Sequence, residues 1–141
     1  MGELTWKVAR PLSDRAPICK LEEVIGVALP DEYVECVMKN NAGYPSLTRF
    51  KTAEGVEHMV DMLLSFDEKK SVNIYNTYQS MLASTGNKWL LPIAEDPFGN
   101  YICFIFLGSG TKVVFWDHET GKVETISATF AEFLAKLHPS E

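Results

Sequence analysis

A chain of 141 residues, 46% hydrophobic and 23% charged, has the length and composition of one globular domain spanning residues 1–141. Thirteen basic against nineteen acidic side chains give a net charge of −6, which argues against non-specific nucleic-acid binding, since that rests on Lys and Arg meeting phosphates. No apolar run reaches membrane-spanning length and the opening MGELTWKVAR lacks the apolar centre of a signal peptide, so a cytoplasmic location without membrane contact is expected.

The opening segment to Arg15 reads as irregular or as a sheet edge, with Pro11 set against a regular element. Ser13 or Asp14 can cap a first helix, with Pro17 near its first turn and Gly26 as its stop. Ile18, Leu21, Val24 and Ile25 recur on one face of it. A second helix starts at Pro30 and Asp31, buries Tyr33, Val34, Val37 and Met38, and stops at Asn40, Asn41 and Gly43 before a Tyr44-Pro45 turn. Residues 47–51 and 56–60 suggest strands around a Glu54-Gly55 turn. Residues 59–64 fit strand or helix, and strand is favoured. Ile74, Tyr75, Tyr78, Met81 and Leu82 then fall at helical spacing, giving a third helix that ends near Thr85 with Gly86 after it.

Residues 89–126 organise the chain. Four short runs rich in β-branched and aromatic residues are separated by turns at 95–100, Gly108-Ser109-Gly110 and 117–121. Connectors this short demand antiparallel neighbours. The run from Tyr101 to Leu107 is apolar on both pleat faces, so it belongs in the middle with cover on both sides. Thr129 and Glu132 form a capping box for a last helix whose core face is Phe130, Phe133, Leu134 and Leu137. The fold class is α+β, a single mostly antiparallel sheet with about four surrounding helices.

Little in the sequence carries chemistry. Cys19, Cys36 and Cys103 are far apart, form no C-x-x-C pair and sit among apolar neighbours, where a free thiol acts as a small hydrophobe. His58 and Asp61 would point to opposite faces of a strand, and two ligands do not make a zinc site. Asp117, His118 and Glu119 are consecutive on a turn, so their side chains diverge rather than converge on one proton. The glycine pairs join strands and lack the strand–loop–helix setting of a phosphate cradle. The expectation is no enzymatic activity, no catalytic residue, no metal and no cofactor.

Four stretches taken in order resemble the SUKH superfamily, named for a cell-wall assembly regulator and related proteins. They are LEEVIGVALPDEY at residues 21–33, NNAGYP at 40–45, LPIAEDPFGN at 91–100, and VVFWDHE at 113–119 followed by TFAEFL at 129–134. In the second stretch Ala42 stands where the pattern usually has glycine. The resemblance implies an α+β fold and no shared catalytic residues. It also implies a protein-binding role, either as an immunity protein that neutralises a polymorphic or contact-dependent toxin, often a nuclease, or as a regulatory scaffold. A small-ligand binder or hydrolase is the remaining alternative. A basic toxin domain is the expected partner, with oligomeric state open. Asp67, Glu68, Glu95, Asp96, Asp117 and Glu119 are the residues expected to meet it, because they occupy turns or strand ends where side chains reach outward.

Overall fold

The computed structural model describes residues 3–108 and 110–139. Its centre is a meander of β6 (Leu90–Glu95), β7 (Tyr101–Leu107), β8 (Gly110–Trp116) and β9 (Val123–Ser127), with β5 (Met62–Leu63) added beside β6. All neighbours in the order β5-β6-β7-β8-β9 are antiparallel, and β7 is the middle strand, as its two-faced apolar pattern required. Ser109, in the connector from β7 to β8, lies outside the described residues.

Alternation along β7 divides the core. Ile102, Phe104 and Phe106 enter the main cluster with Leu91, Ile93, Val113, Phe115 and Ile126. The helices α1 (Ala16–Ile25), α2 (Asp31–Asn40) and α4 (Phe130–Lys136) supply Ile18, Leu21, Tyr33, Val37, Phe130 and Phe133 to that same cluster. Cys103, from the opposite face of β7, packs with Leu90, Val114 and Trp116 under Met81 of α3 (Ile74–Thr85). The meander is therefore covered on one face throughout and on the other chiefly over β6.

Two small antiparallel pairs complete the fold: β1 (Trp6–Lys7) with β2 (Tyr44–Pro45), and β3 (Arg49–Lys51) with β4 (Glu57–Met59). The Tyr44-Pro45 segment, expected only as a turn, thus pairs with the chain's opening. Residues 59–64 are extended, as favoured, but belong to two sheets, because β4 ends at Met59 and β5 starts at Met62.

Helix ends follow their sequence signals with small displacements. Gly26 and Gly86 take left-handed conformations, φ 88° and 69°, and return their N–H groups to Glu22 and Leu82. Asp14 is not the cap of α1 but accepts the Ala16 N–H at 2.9 Å. Thr129 Oγ1 accepts from Glu132 N at 3.1 Å, while the Glu132 carboxylate reaches Ala128 N, one residue ahead of the expected box.

Candidate functional site

Where β6 and β8 finish and β7 and β9 begin, cross-strand register lines up Met62, Glu95, Tyr101, Trp116 and Val123 in one row across five strands. Partners opposite one another share a pleat face, so this row lies on one side of the sheet. Two turns, 96–100 and 117–122, project beyond it.

Asn100 ties those turns together. Its backbone N–H and its Nδ2 donate to Asp96 Oδ1 and Oδ2 at 2.8 and 2.9 Å, and Asp96 Oδ1 also accepts from Phe98 N at 2.8 Å. On its other side, Asn100 Oδ1 accepts from the His118 backbone N–H at 3.0 Å and from Nδ1 at 2.7 Å. Gly99, at φ 92°, lies against the His118 ring, where an added Cβ would come within 3.4 Å. The result is a braced pair of loops holding Phe98 out in solvent, 66% exposed.

The six acidic candidates separate. Asp96 corrects the expectation of an exposed tip: it is 6% exposed, and both of its oxygens are engaged inside the turn. Asp117 is half-buried and accepts the Glu119 N–H on Oδ1, leaving Glu119 itself in solvent. Glu95 is half-buried in the row, where burial, then Asp61, then Asp96 raise its carboxyl above the ordinary value. Asp67 and Glu68 lie beyond β5 (Met62–Leu63), on the loop that leads into α3. There Asp67 accepts Lys69 N and Glu68 pairs with Lys20. The structure thus brings together Glu95, Asp96, Asp117 and Glu119 and leaves Asp67 and Glu68 apart.

Three members of this surface escaped sequence reading. Asp61 joins Glu95 through the β5–β6 register, its N–H donating to Glu95 O at 2.7 Å, and pairing across 34 positions has no local signal. Phe98 and Tyr101 were readable only as turn and core. Tyr101 is half-buried, and its hydroxyl pKa is raised by burial and then by Glu95. His58 and Asp61 do part, His58 turning to Glu124.

Among the described residues no group of three or more His, Cys, Asp or Glu is placed to hold a metal, and no helix is long and apolar enough to cross a membrane. Of the cysteines, Cys19 is exposed, contrary to expectation, Cys36 is half-buried and Cys103 is buried. Burial pushes the Cys36 thiol up to about 11 and raises Cys103 further from ionisation, so neither is a ready nucleophile.

The family model SUKH_6, described as SMI1-KNR4 cell-wall, matches residues 16–134. The chain belongs to this family. No curated protein matches it. The SUKH_6 match opens at the first residue of α1 and closes inside α4, so it takes in the whole five-stranded sheet and both braced turns, and leaves β1 outside. Membership fixes the fold, while the chemistry of the surface has to be argued from side chains.

Proposed function

We propose that this SUKH_6 protein is a non-enzymatic binding protein in the cytoplasm that neutralises a cognate toxin by covering a basic surface of it with the acidic end of its sheet. The observation that carries this reading is the pair of turns braced by Asn100, which hold Phe98 and Glu119 in solvent and Asp117 half-buried, next to the half-buried Glu95 that ends β6. An exposed aromatic ring offers burial to a partner, and carboxylates on the same two turns and the adjoining strand end select a basic one. Bracing matters because a loop already ordered loses less freedom on binding.

No bond is made or broken in such a mechanism. The carboxylates accelerate encounter with the basic face, and Phe98 then leaves water as the complex closes. The toxin is inhibited because its working surface is occluded. A scaffold role is the second reading, favoured by the cell-wall description that the family carries.

The test is co-expression with the large toxin gene expected beside this one. Protection of growth by the wild type, lost when Glu95 and Glu119 are both changed to Lys and Phe98 to Ser, is the expected result. Equal protection by the variant would refute the acidic surface, and no protection by the wild type would leave the scaffold reading.

A further inference from the structure

Of nine large hydrophobic residues exposed among the described residues, three line one groove: Val8 at 67%, Tyr44 at 37% and Val72 at 57%. The groove holds about 330 Å³ between the β1–β2 pair, the β5 edge at Met62 and the loop entering α3. Single exposed apolar side chains need no explanation, but three facing one half-open concavity mark an interaction surface. Its two charged lining residues are Arg10 and Lys70, and no carboxylate lines it. Among the described residues neither cation forms an ion pair.

The walls are held in conformations the chain does not adopt freely. Val8, just after β1, has φ 57° and Ala42, just before its partner β2, has φ 62°. A β-branched residue in the left-handed region is an outlier, retained where its surroundings impose it. Arg10 N donates to Asn41 O at 2.8 Å and Leu63 N to Gly43 O at 3.0 Å, so both walls are fastened to the turn after α2. That geometry leaves the Val8 side chain exposed at the groove, where it has no part in the core.

We propose that this groove is a second docking site, which takes an extended acidic peptide segment of a partner protein, with one apolar side chain seated among Val8, Tyr44 and Val72 and a carboxylate between Arg10 and Lys70. Charge complementarity selects the occupant: the groove is cationic in a protein of net charge −6, so an acidic segment repelled elsewhere on the molecule is accepted here. Its volume lies near the lower end of the ~300–1,000 Å³ range of ligand sites, which suits a short segment rather than a folded face. The inference does not depend on the acidic sheet end, and both together would let one protein hold two partners of opposite charge.

The experiment titrates the isotope-labelled full chain with three probes and follows its amide resonances. The probes are a pool of peptides alternating Glu or Asp with Phe or Leu, the same pool with Lys for every acid, and inorganic phosphate. Saturable shifts at Val8, Arg10, Tyr44 and Lys70 to Val72 with the acidic pool alone are expected. Reversing both cations (Arg10→Glu with Lys70→Glu) should weaken that binding about tenfold or more, equivalent to at least ~1.4 kcal/mol, with the unfolding midpoint unchanged. Val8→Asn should raise the midpoint, because Asn tolerates the left-handed backbone, and yet weaken binding. Equal shifts from the lysine pool, shifts reproduced by phosphate alone, self-association in place of peptide binding, or no shifts would each overturn the proposal.

Discussion

The imidazole of His58 lies flat on the ring of Phe115, centroids 3.7 Å apart and planes 11° from parallel, while its Nε2 meets a Glu124 carboxylate oxygen at 2.7 Å. Phe115 belongs to β8, Glu124 to β9 and His58 to β4, so one side chain staples the small β3–β4 hairpin onto the meander. Both partners of this hydrogen bond are largely shielded, at 22% and 18% side-chain exposure. His58→Ala should therefore cost about 1–2 kcal/mol, combining a lost ring contact with a lost hydrogen bond. Glu124→Gln, which keeps an acceptor, should cost less. Urea unfolding of the two single variants and the double variant measures the coupling, and strictly additive losses would mean that the pair does not hold the hairpin.

At the turn after α2, Ala42 adopts φ 62°, a region costly for any residue with a Cβ. Ala42→Gly should stabilise the protein by up to about 1 kcal/mol by removing that cost. The neighbouring position behaves oppositely. A Cβ on Gly43 would come within 2.8 Å of Asn40 O and 3.3 Å of Trp6, so Gly43→Ala should destabilise and loosen β1. Thermal melts of both variants check the pair of signs, and a destabilised Ala42→Gly variant would remove the strain argument.

That same turn shows what the sequence could and could not convey. Asn40, Asn41 and Gly43 were legible as a helix stop, since local turn chemistry is written in adjacent residues. The strand pairing of Trp6 with Pro45, across 39 positions, was not, and neither was the bond from Phe66 N to the buried Asn41 side chain. The meander was legible because its turns are short and its middle strand is apolar on both faces. The acidic surface was half legible: Glu95, Asp117 and Glu119 could be placed near strand ends. Nothing local told Asp96, which is buried and bonded inside its turn, from Glu95, which is half-buried in the cross-strand row. Placing Asp67 and Glu68 at the opposite end needed the β5–β6 register.

Glu95 gives a pH signature. Its carboxyl pKa is raised from an ordinary 4.5 by burial first and then by Asp61 and Asp96. The folded state thus holds this proton more tightly than the unfolded chain does. Its stabilising contribution is complete below about 4.5 and is lost as pH rises through the raised value. At neutral pH the ionised group is a net cost, which Glu95→Gln should relieve. The gain should stay under about 1 kcal/mol, since the site is half open to screening water. Denaturation of wild type and variant at pH 7 and near pH 4.5 measures it. A gain that does not shrink on acidification would contradict the assignment to Glu95.

Asp96 and Glu119 lie on the two turns that Asn100 joins and should respond in opposite ways. Asp96 accepts three hydrogen bonds within its turn and is 6% exposed, so Asp96→Ala strands those donors in a shielded loop and should cost about 2–3 kcal/mol. Asp96→Asn retains an acceptor at Oδ1 and should cost less. Glu119 makes no side-chain bond among the described residues, and Glu119→Gln should change stability by no more than about 0.5 kcal/mol. Against a basic partner the order reverses: Glu119→Gln slows association at low salt more than at high salt, as loss of an exposed charge does. Asp96→Asn acts through the set of the loop that carries Phe98, so its effect should follow loop order and depend little on salt. Stopped-flow association at two ionic strengths, beside urea unfolding, separates the roles. Equal unfolding midpoints for Asp96→Ala and Glu119→Gln would show that the turn network does not brace the surface.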